Sequence, residues 1–328
     1  MQICYDEENK YYFLSMNWIS VSLIAYLLLS FCFILDKILL KKNIPKPSVY
    51  AFYMALLSAG ALFLIPFGVK WVNFSFSLRS IIFGMIFIWA LVYFYKAVKK
   101  NQISKVAPLV GTITQLTAFF IAVLFLHKEI GSLNYLGLFF LIAGGFLVSF
   151  DLPLNYKSLT RGLAFSAESG ILFAISYSGF DYIYQEFRLI YGDQGVFING
   201  FFWTRIGLVM GGISLLVVGT YREEIKNSIF GKHKKHRKNR SLKTIALFFL
   251  NKIFGGTSSI LTNQAIVMGG AVFVQSISSV QFAFVLILAT LMSIRHPDIF
   301  GEKLYFWDWA QKIGAIVLIA GGIFLVSF

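Results

Sequence analysis

Charge is scarce in this chain. Only 13% of its 328 residues are charged, and only 15 are Asp or Glu. A soluble domain carries about 25% charge, and so few charges cannot cover an aqueous surface. A water-soluble globule is therefore excluded. The two cysteines, Cys4 and Cys32, give no disulfide framework. The four histidines, at 127, 233, 236 and 296, sit in no metal or acyl-transfer pattern, so an integral-membrane enzyme is the weakest function class and no metal or cofactor is expected. A Walker motif is missing too, which argues against direct use of ATP. Residues 1–16 carry Asp6, Glu7 and Glu8 where a secretory leader would be basic. The first apolar block reads instead as an uncleaved signal anchor, with Met16 as an alternative start.

Apolar residues are abundant: 58% of the chain, with 36 phenylalanines. They fall in ten blocks near 17–36, 49–69, 77–96, 103–126, 133–150, 161–184, 195–219, 243–267, 270–294 and 309–328. Each approaches the roughly 20 residues that cross a bilayer as a helix. A barrel would need period-two alternation. These blocks are continuously apolar, so each must satisfy its backbone internally as a helix. The expected class is an all-α integral membrane protein of ten transmembrane helices.

The sequence repeats itself. GLFFLIAGG at 137–145 returns as GAIVLIAGG at 314–322, with six of nine positions identical at an offset of 177. FLVSF follows at 146–150 and again at 324–328. Ala97 and Val106 match Ala265 and Val274 at an offset of 168, and Asp36 matches Asp181 at 145, each aspartate ending the first span of its half. The expected organisation is an extension 1–16, a first five-helix unit 17–150, and a second unit 151–328 carrying a basic loop 221–243. An odd number of spans per unit makes the second enter the membrane upside down, a 5+5 inverted-topology repeat.

Lys and Arg are segregated. Loops after the odd-numbered spans carry 22 of the 29, the opposite side carries five, and Arg205 and Lys252 lie inside spans. The positive-inside rule puts the basic side in the cytoplasm and both termini outside. The run from Lys232 to Lys243 is a topology anchor that also meets lipid headgroups, and no nucleic-acid partner is expected.

Several short patterns resemble the EamA-like transporters of the drug/metabolite transporter (DMT) superfamily. They are Lys96-Ala97-Val98, then Val106-Ala107-Pro108-Leu109, Lys128-Glu129, and Gly137 with Gly144 and Gly145. The second half offers Gly301-Glu302 and the block from Gly314 to Gly322. The similarity covers about residues 17–328. It implies a ten-helix inverted repeat that exports or exchanges small metabolites, here across a prokaryotic inner membrane. The segment Arg295 to Phe300 departs from the pattern by lengthening a connection. The family's termini are usually cytoplasmic, against the charge count. The superfamily's substrates are too varied to transfer one to this chain.

An ionisable residue inside a span costs about 2.5–3.5 kcal/mol and needs a reason. Arg205 lies near the middle of span 7 and Lys252 near the middle of span 8, and together they would attract an anionic group of a substrate. The family's frequent arginine at the place of Arg205 adds to that expectation. Glu168, in span 6, would bind an amine or a coupling proton, or balance one of the cations. Gln115 with Thr112, Thr114 and Thr117 in span 4, and Gln275, Ser276, Ser278, Ser279 and Gln281 in span 9, would line a path or join helices. Trp203, Trp89 and Tyr93 would wall a cavity or face lipid. Gly144, Gly145, Gly207, Gly211, Gly321 and Gly322 would let helices approach inside the bundle, with an oligomer interface as the alternative. Glu129 and Glu302 would end their spans. The function expected is a secondary transporter of an amino-acid-like or other small anionic or zwitterionic solute, with a lipid-handling accessory protein as the alternative.

Overall fold

A computed structural model describes residues 17–43, 46–101, 103–125, 131–149, 156–230, 242–299 and 306–326. Cys4, Met16, His127, Lys128, Glu129, His233, His236, Gly301 and Glu302 lie outside the described residues, as does most of the basic run. Most of the described residues are helical, with no strand among them. Seven helical stretches are long and apolar enough to cross a membrane: Trp18–Lys41, Pro47–Phe67, Phe74–Lys100, Ile103–Leu124, Leu163–Tyr191, Val196–Val217 and Ala271–Arg295. Two shorter apolar ones are Ser132–Leu147 and Ala310–Val326.

The helices are α1 (Trp18–Ile38), α2 (Pro47–Leu57), α3 (Phe74–Lys100), α4 (Ile103–Leu124), α5 (Ser132–Ser149), α6 (Tyr156–Tyr191), α7 (Val196–Ser214), α8 (Gly219–Phe230), α9 (Leu242–Gly269), α10 (Ala271–Ile277), α11 (Ser279–Arg295) and α12 (Phe306–Val326). Three departures from uniform spans matter. After α1 the backbone loosens into a π-helical turn, Leu39–Asn43, so Asp36 and Lys37 are buried side chains within the helix rather than a span end. Asp181 is likewise buried inside α6. After α2 the chain tightens into a 3₁₀ stretch, Ser58–Phe67, containing Pro66. The ninth apolar block is broken at Ser278, where α10 stops and α11 starts.

Backbone contacts order the bundle. α1 runs antiparallel to α9: Trp18 packs on Gly269, the Ser258 hydroxyl donates to Ala25 O at 2.8 Å, and Cys32 meets Asn251. α3 runs antiparallel to α6: Ser169 donates to Ala90 O at 3.0 Å and Ser176 to Phe83 O at 2.7 Å. α5 and α12 cross antiparallel through Gly137 against Gly322 and Gly144 against Ala315. α3 closes on α7 so tightly that a Cβ on Gly84 would lie 2.5 Å from the Gly207 carbonyl carbon. Gly211 sits against Met85 and Ile88 of α3. Gly145 abuts Thr112, Ser279 and Phe282, whereas a Cβ added at Gly321 would meet only the Phe140 ring among the described residues, at 3.7 Å.

The connections sort to two ends. At one, Lys41 donates to Asp298 O and Ile299 O, Lys46 pairs with Glu224 at 2.8 Å, and Lys96 donates to the Tyr221 hydroxyl at 2.6 Å. At the other, Lys70 N–H donates to Asn199 Oδ1 at 2.6 Å and Arg188 donates to Val267 O at 3.0 Å. The amphipathic α8 lies at the first end, with Ile225 buried and Tyr221 packed on Trp89. It occupies the start of the segment expected to be a basic loop.

Candidate functional site

A cavity of about 470 Å³ lies inside the bundle, lined from α1, α2, α3, α4, α6, α7, α9, α10 and α11. Its wall is mainly aromatic and aliphatic. Arg205, Lys252 and Gln275, which come from three separate apolar blocks, line it together. So do Asp36, Thr114, Ser278 and Gln281.

Arg205 is 6% exposed, and its guanidinium carbon stands 4.3 Å from the centre of the Phe201 ring. The i to i+4 spacing along α7 puts ring and cation on one face. Its Nε is buried without an acceptor, and the guanidinium is in no ion pair or hydrogen bond among the described residues. Tyr184, nearby, spends its hydroxyl on Asn263 Oδ1 at 2.8 Å.

Lys252 stands on a different wall. Its Nζ donates to the Tyr50 hydroxyl at 3.1 Å and lies 4.4 Å from the centre of the same ring. Tyr50 in turn donates to Asp36, and Asn251 Nδ2 donates to Asp36 at 2.6 Å. The buried Asp36, Tyr50 and Asn251 thus form one polar cluster with the half-buried Lys252 across α1, α2 and α9. The sequence marked Asp36 only as a sign of duplication. The signal for more was an acid one residue before a lysine at the end of an apolar run.

The broken helix supplies the amides. Gln115 Nε2 donates to Ser279 Oγ at 2.7 Å, Ser278 Oγ at 3.2 Å and Ser276 O at 3.3 Å. Ser279 donates to Leu141 O at 3.1 Å. Gln115 and Ser279 therefore hold α4, α5 and the break together and do not line the cavity. The Nε2 groups of Gln275 and Gln281, on either side of Ser278, are buried at the cavity wall without partners among the described residues. Thr114 donates to Val110 O and Gly170 O, at 2.8 and 3.1 Å.

Other candidates lie elsewhere. Glu168 is exposed and does not line the cavity. The apolar part of α6 begins at Leu163, so Glu168 sits near its end, where a polar side chain can reach the interface. Trp203 donates to Lys70 O at 3.1 Å and packs on Trp71 at 5.2 Å. Two residues along a helix is about 200° of turn, so Trp203 points away from Arg205. Trp89 donates to Ser214 Oγ at 3.1 Å and Tyr93 stacks on Phe165, both away from the cavity lining. No cluster of three metal-ligating side chains occurs among the described residues.

No family model matches the chain, and no curated protein matches it. A solved structure, described only as a crystal structure of a protein, aligns over 94% of this chain and 98% of its own with a TM-score of 0.56 and 12% identity. That similarity shows a shared fold and carries no function.

Proposed function

We propose that this chain is a secondary carrier of the EamA-like kind, ten helices in two inverted units of five, moving a small anionic metabolite across a prokaryotic cytoplasmic membrane by alternating access. The observation that carries the reading is Arg205. A buried guanidinium beside a cavity, with no acceptor among the described residues, is costly, and a substrate anion would complete it in passing. On the charge count, the basic end faces the cytoplasm and the termini face outward.

Two packing relationships support inversion. The repeat offsets carry one helix crossing onto another. The contacts of Ala25 with Ser258 and of Cys32 with Asn251, shifted by 145 in α1 and back by 168 in α9, give 170 with 90 and 177 with 83. The observed contacts are Ser169 with Ala90 and Ser176 with Phe83. The same one-residue displacement separates both. The two copies of the repeated glycine block also cross antiparallel, as units of opposite orientation require.

Inversion pairs the α3–α7 contact with α9–α2, and here the two differ. α3 and α7 meet backbone to backbone at Gly84 and Gly207. α2 and α9 are bridged by the side chains of Tyr50, Asn251 and Lys252, and Gly60 and Gly256 on the two walls have nothing within 4 Å of an added Cβ. A tight side and a loose side are what one state of an alternating carrier needs.

The test is a thermal-shift screen of small anionic metabolites on purified protein and on R205Q, followed by counterflow in proteoliposomes for each solute that stabilises the wild type. Counterflow present in the wild type and lost in R205Q supports the carrier. Stabilising solutes that show no counterflow, or counterflow indifferent to R205Q, refute it.

A further inference from the structure

The charges around the cavity do not cancel evenly. Lys252 and Asp36 are tied through Tyr50 into a neutral unit. Asp36 already accepts from Tyr50 and Asn251, so the one carboxylate on the lining is engaged. Arg205 stands apart as a cation without an acceptor among the described residues. The net excess at the wall is a single positive charge.

The unpaired groups favour one polarity. A guanidinium only donates, while an amide can turn to donate or accept. Arg205, Gln275 and Gln281 therefore present donors that an oxyanion satisfies. A ligand ammonium would find no unengaged carboxylate. A second anionic group would have only Lys252 to meet, and Asp36 already balances that charge. The remaining wall is mainly apolar and ring-rich, including Phe87, Leu91, Phe94, Val110, Phe173 and Phe282, and its other polar groups, among them Thr114, Ser259 and Asn263, are uncharged. At about 470 Å³ the space lies low in the range of roughly 300–1,000 Å³ usual for small-molecule sites, room for one ring system with a short side chain.

We propose that the cavity takes an aromatic monocarboxylate lacking an ammonium group, with its carboxylate on Arg205, the Gln275 and Gln281 amides as further donors in the same cavity, and its ring on the phenylalanine wall. This narrows the solute class of the carrier reading and rests on that reading for turnover, not for binding.

The probe is 3-phenylpropanoate, compared with L-phenylalanine, 2-phenylethylamine and phenylsuccinate, which keep the ring and change only the charged groups. Calorimetry on the full chain should give 3-phenylpropanoate the tightest binding, with at least tenfold weaker binding of the other three. R205Q should lose tenfold or more of that affinity, and R205K should recover part of it. Gln275→Leu should weaken binding several-fold. R205Q removes an uncompensated buried charge and should fold; if it does not, the Gln275→Leu variant and the four-ligand comparison on the wild type still decide. L-phenylalanine or phenylsuccinate binding as tightly as 3-phenylpropanoate would overturn the assignment, as would binding indifferent to Arg205. Arg205-dependent binding of 3-phenylpropanoate without counterflow would overturn the carrier and keep the ligand class. Arg205-dependent counterflow of a different solute class, with no 3-phenylpropanoate binding, would do the reverse.

Discussion

Asp36 and Lys252 are joined through a third side chain. The Tyr50 hydroxyl donates to the Asp36 carboxylate and accepts from Lys252 Nζ at 3.1 Å. Removing Asp36 leaves the half-buried Lys252 uncompensated, at a cost of at most the roughly 3–5 kcal/mol of a fully buried charge left alone. D36N should therefore lower unfolding stability in detergent by up to that amount. The double variant D36N/K252M should recover much of the loss, because no buried charge is then left alone. Equal instability of the single and double variants would mean that the cluster does not act as a pair.

The glycines divide sharply. An added Cβ at Gly84 would meet the Gly207 backbone at 2.5 Å, whereas at Gly256 it would meet nothing within 4 Å. Overpacking typically costs about 1–3 kcal/mol, and alanine favours a helix over glycine by about 0.5–1 kcal/mol. G84A should melt earlier than wild type, and G256A at the same temperature or slightly later. Reversed signs would place the close approach of α3 and α7 in error.

Outside the spans, Glu224 reports on how α8 is fastened. Burial raises its carboxyl, but the hydrogen bonds from Lys46 and Ser48 and the charges of Lys46 and Lys99 outweigh that, holding it below the ordinary value of 4.5. A carboxyl lowered on folding stabilises above its unfolded value, and loses that contribution as the pH falls through its folded one. The stability gap between wild type and E224Q should be present at pH 7 and shrink below about 4.5. A gap independent of pH would mean that the ionised carboxylate is not what holds α8.

What could be read from the sequence follows from energetics. Arg205 and Lys252 stood out because a charge in an apolar run needs a reason, and both line the cavity. The repeated block at Gly137 and Gly322 was visible because close backbone approach tolerates few residue types. Asp36 reads as a span end in the sequence because Lys37, Lys41 and Lys42 follow it like a loop, whereas Leu39 and Leu40 are buried and the helix continues. The break at Ser278 was hidden because Gln275, Ser278 and Ser279 also fit one face of an unbroken helix. There the backbone keeps helical angles but tightens to hydrogen bonds three residues apart, Ser278 N–H to Gln275 O and Gln281 N–H to Ser278 O, and Gln115 donates onto that turn. Glu168 obeyed the rule that polar residues avoid lipid by lying near the end of a span, which sequence boundaries could not resolve.

Alternating exposure of the cavity tests the central claim most directly. Ser259 lines the cavity and is half-buried. In a background with Cys4 and Cys32 replaced by serine, S259C in sealed vesicles should react with a membrane-impermeant maleimide added from either side, with a bound anion shifting the ratio of the two rates. Reaction from one side alone, whatever anion is present, would contradict a carrier and leave a pocket that opens in one direction.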